Sequence, residues 1–370
     1  MSSSQPTPGP APSVLERINS ALSEFLDHQR HTLLDIHPDL SLLADAAESA
    51  VMAGGKRLRP TFAYWGWRSA RPAGSPGEHE LFRAAASLEL LQACALVHDD
   101  LMDDSDTRRG QPAAHVRFAS EHTRAGWPGP AGRFGLSGAV LLGDLLLSWA
   151  EELFDSAQEA AAAAGAVAAE HARACRREFD AMRTEVVAGQ FLDVLAQTRA
   201  GFDVQEALRV IEFKTTKYTI QRPLLLGARA AGAPAELTHS LAEYGYALGE
   251  AFQLRDDLLG VFGDPVETGK PAGDDLREGK RTYLLAVAMQ RADEQQATLL
   301  RQQIGDPKLE AADVEQLREL LVATNAVADV EARISDRAAA AEQILSRSSI
   351  SREARAALSA LAQAAAHRTF

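Results

Sequence analysis

Cysteine is scarce in this sequence, because Cys94 and Cys175 are the only two among 370 residues. Two cysteines cannot build a disulfide framework or a multi-cysteine zinc site. The amino-terminal residues also lack the basic region followed by an apolar region that a signal peptide has. No apolar run approaches the roughly 18 residues that span a bilayer. These absences predict a cytoplasmic protein with no stable insertion into a membrane.

Basic residues are in the minority. Lys and Arg number 38 against 51 Asp and Glu, which gives a formal net charge of −13. A chain this acidic is a poor general binder of nucleic acid, so we expect no nucleic-acid partner. Such an acidic chain can bind a polyanion only where local cations or metal ions make the electrostatic potential positive.

Alternating strand patterns with hairpin signals are absent. Apolar residues recur instead at helical spacing, as in Leu237, Leu241 and Tyr244. Alanine, a strong helix former, dominates residues 157–174 and 337–366. The sequence therefore predicts an all-α fold.

Glycine and proline mark the breaks between the predicted helices. We expect loops at residues 71–78, 124–138 and 263–275, and disorder in the Ser- and Pro-rich residues 1–12. None of these loops has the character of a linker between domains, so residues 13–370 are predicted to form a single domain.

The strongest chemical signal is an aspartate-rich segment from His98 to Gly110, HDDLMDDSDTRRG. On a helix, Asp99 and Asp103 share one face, where like charges cost about a few tenths of a kcal/mol. A divalent cation would offset this cost, and carboxylates without a His or Cys cluster favour Mg²⁺ over Zn²⁺. Arg108 and Arg109 add guanidinium groups for phosphate oxygens, which indicates a diphosphate site. The plain alternative is a solvated acidic helix end.

A second aspartate-rich segment runs from Phe252 to Asp264, FQLRDDLLGVFGD, far away in the sequence. Asp256 and Asp257 are adjacent there, and Lys270 and Lys280 follow in stretches punctuated by Gly and Pro. Two acidic clusters, each with nearby cations, predict helices that face each other across a bundle and clamp metal ions between them.

A third segment, from Gly54 to Pro60, reads GGKRLRP. Its two glycines permit a sharp turn, after which Lys56, Arg57 and Arg59 offer cations at a helix start. The pattern is not a Walker A loop, which requires G-x-x-x-x-G-K-[ST]. A basic surface turn is the alternative interpretation.

These three segments, with Lys214–Thr215 and GKPAGDDLREGKRT at 269–282, resemble the trans-isoprenyl diphosphate synthases, the head-to-tail polyprenyl synthetases. The resemblance covers roughly residues 15–370 in the same order. It implies an isoprenoid synthase fold, in which antiparallel helices surround a deep central cavity, and usually a homodimer. It also implies Mg²⁺-dependent condensation of isopentenyl diphosphate with dimethylallyl, geranyl or farnesyl diphosphate.

The resemblance assigns roles by motif position. It implies three Mg²⁺ ions per site with diphosphate bound, and their implied ligands are Asp99, Asp103 and Asp256, supported by Asp100, Asp257 and Lys280. The implied contacts to the allylic diphosphate are Arg108, Lys214, Gln253 and Lys270, with Thr215 beside the breaking bond. The implied isopentenyl diphosphate site comprises Lys56, Arg57, Arg59, Gln92 and Arg109.

One position departs from the family pattern. The second motif of the family is DDxxD, and here Gly260 replaces its last aspartate. Asp264 lies too far along the helix to replace it on the same face. We expect activity to survive, with the number of metal ions at this motif left open.

Product length is expected to depend on the helix before the first aspartate-rich segment. A growing chain gains about 0.8 kcal/mol per buried CH₂, so only a steric floor stops elongation. The resemblance places that floor at Cys94 and Ala95, just before Asp99, with Leu91 and Leu88 one turn deeper. Because Cys94 and Ala95 are small, we expect the twenty-carbon geranylgeranyl diphosphate, and longer products remain open.

Three alternatives differ in their sequence requirements. A class I terpene cyclase shares the DDxxD motif but lacks the isopentenyl site, so the third segment and Arg109 argue against it. A non-catalytic regulatory subunit usually loses the first motif or the basic residues, and this chain has both. A purely structural helical bundle leaves the polar clusters unexplained.

Overall fold

The computed structural model describes residues 13–199, 201–264 and 273–366. These residues are mostly helical, which confirms the predicted all-α fold. The helices before the first aspartate-rich segment are α1 (Val14–Ile36), a 3₁₀ turn (Pro38–Leu40), α2 (Ser41–Met52), α3 (Leu58–Arg68) and α4 (Glu78–Met102). After a hairpin of two short strands, β1 (Thr107–Arg108) and β2 (Gln111–Pro112), come α5 (Ala114–Arg124), α6 (Ala131–Ala163) and α7 (Ala169–Thr198).

The second half of the described chain begins with a continuous helical run of changing pitch. Its members are α8 (Val204–Val210), a π-helix (Ile211–Gln221) and α9 (Arg222–Ala230), followed by the long α10 (Ala235–Phe262). The remaining helices are α11 (Asp274–Glu278), α12 (Tyr283–Arg291), α13 (Glu294–Gln303), α14 (Ala311–Ala323), α15 (Ala326–Arg347) and α16 (Arg352–Ala366).

Two central helices carry the aspartate-rich segments. α4 packs against α6, α3 and α1, with Leu88 and Leu90 fully buried. α10 packs against α15 and the π-helix, with Leu254 and Leu258 fully buried. Helices that are apolar on most faces are stable only inside a core. The core therefore holds rigidly the carboxyl ends of α4 and α10, where the acidic side chains lie.

Two described helices, α4 and α6, are long and apolar enough to cross a membrane by length and composition. Neither helix was predicted as a possible membrane span, because neither consists of an unbroken apolar run. The apolar window of α4 is 72% buried inside the protein, as expected of a core helix, whereas that of α6 is only 39% buried.

The loop predicted at 124–138 is partly wrong, because α6 begins at Ala131. Its glycines suggested a turn, but Gly135 serves close helix packing. A Cβ at Gly135 would stand 2.3 Å from the carbonyl oxygen of His115 on α5. The predicted disorder of residues 1–12 lies outside the described residues, and the single domain over 13–370 stays a prediction.

Candidate active site

The first aspartate-rich segment lies at the carboxyl end of α4. Asp99 Oδ1 accepts a hydrogen bond from Gln190 Nε2 at 2.9 Å and lies 3.4 Å from Lys214 Nζ. Asp103 occupies the C-cap, with its side chain only 4% exposed and its Oδ2 3.5 Å from Lys280 Nζ. Each of the two predicted carboxylates therefore has a lysine partner.

The two carboxyl groups differ in pKa. Burial acts to raise the pKa of Asp99, but Lys214 and Lys280 outweigh it and hold that pKa below its ordinary value. Burial and the neighbouring charge of Asp99 raise the pKa of Asp103 to about 6. The repulsion between these carboxylates is thus only partly relieved by the lysines, which favours binding of further positive charge.

α7 contributes two side chains that the sequence analysis missed, Gln190 and Asp193. Asp193 Oδ2 lies 2.6 Å from Lys214 Nζ, so Asp193 and Asp99 hold this lysine between them. Burial acts to lower the pKa of Lys214, but these two carboxylates raise it above its ordinary value. Gln190 and Asp193 lie on one helix face, but no motif in the sequence marks that face as functional. The neighbouring Gly189 was a signal that could have indicated close helix packing there.

Arg108 and Arg109 lie on a hairpin that the sequence analysis did not predict. β1 and β2 pair antiparallel, and both turn residues have positive φ, 53° at Arg109 and 71° at Gly110. Positive φ at both turn positions is typical of a type I′ hairpin. Strands of two residues are too short to show an alternating pattern. An arginine with positive φ is uncommon and points to a functional constraint.

Asp100 anchors Arg108. Arg108 Nε donates to Asp100 Oδ1 at 2.8 Å, and Asp100 is buried. Arg108 also lies 3.7 Å from Asp99 Oδ2 through its terminal nitrogen. This contact gives Asp100 a positioning role toward Arg108, while its supporting role at a metal stays a prediction.

The second aspartate-rich segment forms the last turns of α10. Gln253 Nε2 donates to Asp257 Oδ1 at 2.7 Å. Asp257 is buried, and this burial, with the charges of Asp275 and Asp256, raises its pKa to about 8. Asp256 is half-buried and is the more accessible of the adjacent pair. Lys270, predicted to follow this segment, lies outside the described residues.

Lys280 connects the first aspartate-rich segment to the helix that follows α10. Its Nζ lies 3.5 Å from Asp103 Oδ2 and 3.4 Å from Asp275 Oδ1, and it pairs with Glu278 as well. Asp275 and Glu278 belong to α11, the first described helix after α10. One ammonium group therefore contacts both the end of α4 and α11. Because Asp275 of α11 also lies against Gly260 of α10, the ends of α4 and α10 lie near one another, as the two acidic clusters led us to expect, while their clamping of metal ions stays a prediction.

The third segment begins α3, and its three cations have different surroundings. Lys56 is exposed, whereas Arg57 is buried. The terminal nitrogen of Arg57 lies 2.8 Å from Glu89 Oε2 and donates to the Val51 carbonyl oxygen at 2.9 Å. Arg57 is thus tied into a buried ion pair with α4, which makes it an anchor of this segment.

Arg59 and Gln92 meet through the π-helix. Arg59 donates to Thr219 Oγ1 at 2.7 Å and stacks over the ring of Tyr218 at 4.2 Å. The Tyr218 hydroxyl donates to Gln92 Oε1 at 3.0 Å. Two residues predicted to hold isopentenyl diphosphate therefore belong to one connected cluster.

Arg109 joins this cluster from the hairpin. Its guanidinium donates to the carbonyl oxygen of Gly54. Burial and the positive charges of Arg57, Arg108 and Arg59 lower the pKa of Arg109, against the opposing effect of Glu89. Crowded guanidinium groups of this kind favour an anion between them.

The π-helix connects the two groups of side chains. Lys214 reaches toward Asp99, whereas Tyr218 and Thr219 reach the cluster around Arg59. Thr215 lies half-buried beside Lys214. A π-helix has i→i+5 hydrogen bonds and a wider turn, and such turns are frequent at functional sites.

The donor set fits Mg²⁺. Within the described ranges no three Asp, Glu, His or Cys side chains lie together as a preformed cage. Asp103 Oδ2 is buried and accepts no hydrogen bond from any described residue, so a hard oxygen remains available. Magnesium is usually bound by one or two carboxylates together with substrate phosphates and waters, which is what these aspartates can offer.

The positions predicted to set product length divide between two faces of α4. Ala95 is half-buried and lies one turn before Asp99 on the same face. The Sγ of Cys94 lies 3.8 Å from His98 Nδ1, and the side chain of His98 packs over Gly143 of α6. The deeper positions on α4, Leu91 and Leu88, are buried in the core.

Comparisons with known proteins identify the family. Residues 40–321 match the polyprenyl synthetase family. The chain is 32% identical over 323 residues to the geranylfarnesyl diphosphate synthase of Aeropyrum pernix, covering 87% of this chain and 92% of that one. It is 30% identical over 289 residues to the geranylgeranyl diphosphate synthase of Saccharolobus solfataricus, covering 77% and 78%. The geranylgeranyl pyrophosphate synthase of Corynebacterium glutamicum, solved with isoprenyl diphosphate and magnesium, has a TM-score of 0.91 and 42% identity, covering 96% of this chain and 99% of that one.

Proposed function

This chain belongs to the polyprenyl synthetase family, and we propose that it is a trans-prenyltransferase joining isopentenyl diphosphate to an allylic diphosphate. The observation that carries the proposal is the position of Lys280, which contacts Asp103 of the first acidic segment and Asp275, the residue that lies against Gly260 of the second. It supports a site in which two helix ends face each other across a bound diphosphate. The family match over residues 40–321 confirms the family resemblance found in the sequence.

The first subsite would hold the allylic diphosphate. Asp99, Asp103 and Asp256 would hold three Mg²⁺ ions, and the bound magnesium supplies positive charge that stabilises the diphosphate as its C–O bond breaks. Arg108 and Lys214 would contact the same diphosphate, since the structure holds both beside Asp99.

The second subsite would hold isopentenyl diphosphate. Arg59 and Arg109 would bind its phosphates, with Lys56 at the exposed entrance and Gln92 below. Arg57 would act by fixing the segment through Glu89. Unit charges of like sign at about 4 Å repel by roughly 4 kcal/mol at an effective dielectric constant of about 20, so two neighbouring diphosphates require this surplus of cations.

The proposed reaction needs no dedicated protein base. Ionisation of the allylic substrate leaves a carbocation, which the double bond of isopentenyl diphosphate attacks. The released diphosphate then takes the proton that is lost. Lys214, which pairs with Asp99, and its neighbour Thr215 would face the departing group, and their part would be to hold charge and orientation.

We also propose that the product is geranylgeranyl diphosphate. The small side chain of Ala95, one turn before Asp99, would not block a chain longer than fifteen carbons as an aromatic side chain there would. The relatives named above are synthases of geranylgeranyl and geranylfarnesyl diphosphate, which is consistent with a floor near this depth.

The enzyme is proposed to act as a cytoplasmic homodimer. α6 exposes large apolar side chains on one face, with Leu136 54% and Leu141 61% exposed and Val140 between them. Exposed apolar patches of this kind mark association surfaces. A second copy of α6 is the occupant that we propose for this face.

The direct test is incubation of the purified protein with Mg²⁺, isopentenyl diphosphate and each allylic primer in turn. The dephosphorylated products would be sized by mass spectrometry. We expect a dominant twenty-carbon alcohol. A longer product would support the proposed reaction but indicate that the steric floor lies deeper than Leu88. No condensation with any primer would contradict the proposed activity.

A further inference from the structure

The position of Gly260 on α10 is filled by a carboxylate from another helix. A Cβ at Gly260 would stand 1.8 Å from Oδ2 of Asp275 and 2.5 Å from its carboxylate carbon. The carboxylate carbon of an aspartate at 260 would lie one bond, about 1.5 Å, from that Cβ. The acidic group of Asp275 thus occupies the space where a side chain of residue 260 would begin.

We propose that Asp275 supplies, from α11, the metal-facing carboxylate that α10 lacks at Gly260. The inference rests on the proposed function, because it assigns a role within the diphosphate site. It explains how this chain keeps a complete second acidic cluster although its DDxxD motif ends in glycine. The carboxylate is the same chemical group, carried by a different segment of the backbone.

The backbone around Asp275 holds this side chain in place. The amide of Lys280 donates to the Asp275 carbonyl oxygen at 3.1 Å, and the amide of Gly305 donates to that of Leu276 at 2.8 Å. Leu276 is fully buried. Asp275 therefore sits on an anchored turn, as a ligand-facing residue requires.

The surroundings of Asp275 point to a cation. Lys280 lies 3.4 Å from Asp275 Oδ1 and 3.5 Å from Asp103 Oδ2, so Asp275 lies near the first acidic segment as well as the second. Apart from this 3.5 Å ion pair, Asp103 Oδ2 is buried and accepts no hydrogen bond from the described residues. A buried carboxylate oxygen with no hydrogen bond can serve as a ligand to a cation, and Asp275 lies on the other side of the same lysine.

The competing role for Asp275 is purely structural, as the partner of Lys280. The two roles predict different results when a carboxylate is introduced at position 260 of α10. If Asp275 serves the metal, then Gly260→Asp should compensate for Asp275→Ala, because the acidic group reappears in nearly the same space. If Asp275 only holds Lys280 and α11, a new side chain on α10 should not compensate.

The experiment measures binding of Mn²⁺ with inorganic diphosphate, by electron paramagnetic resonance and calorimetry, to four proteins. These are the full-length wild type, Asp275→Ala, Gly260→Asp and the double variant. We expect Asp275→Ala to bind Mn²⁺ about tenfold more weakly. Gly260→Asp alone should also weaken binding, because two carboxylates would compete for one space. The double variant should recover most of the affinity of the wild type.

Two further variants keep the result interpretable. Asp275→Asn preserves the shape of the side chain and should lose affinity like Asp275→Ala, even if the alanine variant folds poorly. Asp306→Ala removes one exposed acid after α13 and should bind Mn²⁺ as the wild type does. Unchanged binding in both Asp275 variants, or no recovery in a folded double variant, would overturn the inference. If wild type itself binds no Mn²⁺–diphosphate and forms no product, the proposed function fails instead.

Discussion

Gly189 of α7 lies directly against the backbone of Lys214, since a Cβ at Gly189 would stand 2.4 Å from the Lys214 nitrogen. This close approach lets α7 deliver Gln190 and Asp193 to the same site that the π-helix enters. The packing of one glycine therefore determines where Lys214, a proposed substrate contact, stands.

Gly189→Ala should separate α7 from the π-helix and displace Lys214 from Asp99. Misplacement of a positioned group by about 1 Å can reduce the rate about a hundredfold. Steady-state kinetics would measure the loss in kcat. Gly132→Ala is the control, because a Cβ at this helical glycine meets open space, and it should leave kcat unchanged. A wild-type kcat in Gly189→Ala would show that the π-helix can shift to accommodate the added methyl group without loss of activity.

Arg57→Met tests whether this arginine anchors or binds. Removing one partner of a buried ion pair leaves Glu89 uncompensated and should cost about 3–5 kcal/mol of unfolding free energy. Urea denaturation would measure it. Arg30→Met, which breaks exposed pairs with Asp45 and Glu48, should cost about 1 kcal/mol or less. An Arg57→Met protein of normal stability but raised KM for isopentenyl diphosphate would assign Arg57 to substrate binding.

Ala95→Phe should shorten the product from twenty to fifteen carbons, because the ring would fill the space one turn below Asp99. Mass spectrometry of the dephosphorylated product would show the shift. Cys94→Phe makes the matched comparison, since Cys94 faces His98 and α6. It should lower stability more than it shortens the chain. An unchanged product in Ala95→Phe would place the floor elsewhere.

Leu141→Glu should dissociate the proposed dimer, since it places a charge on the exposed apolar face of α6. Sedimentation velocity at several protein concentrations would give the mass. Leu15→Glu alters a residue of α1 that is also exposed and should leave the oligomeric state unchanged. A Leu141→Glu dimer as stable as the wild type would assign this face to another partner.

The two thiols should resist modification in the folded protein. Burial raises the pKa of both Cys94 and Cys175 to about 12. Because the thiolate is the reactive form, only about one thiol in 10⁴ is reactive at pH 8, and the fraction rises only as the pH approaches 12. Titration with a chromogenic disulfide reagent should detect no rapid reaction, and two thiols after denaturation. Rapid reaction of one thiol at pH 8 would contradict its burial.

The sequence predicted the parts of the site that short motifs encode. Asp99, Asp103 and Arg108 lie within thirteen consecutive residues, so their spacing on one helix end followed from the sequence alone. Lys280 could be assigned to the site because it follows the second acidic segment in the sequence. The all-α fold followed from helical periodicity, which is the most reliable signal in a sequence of this kind.

Other features depend on contacts between distant elements. Gln190 and Asp193 look like ordinary helix-surface residues until α7 is placed beside the π-helix. The substitution of a carboxylate from α11 for the missing one at Gly260 involves two residues fifteen apart on different helices. The π-helix leaves no periodic signature in the sequence, and a two-residue strand cannot display alternation.

The π-helix makes the number of residues between Ile211 and Gln221 part of the site. Lys214 contacts Asp99, while Tyr218 and Thr219 contact Gln92 and Arg59, which belong to the other proposed subsite. Insertion or deletion of one residue between them would rotate the following side chains by about 100° if the segment took an α-helical turn. Individual side chains here can be exchanged, but the spacing cannot. Alignments of active homologues should therefore contain substitutions in this stretch and no gaps.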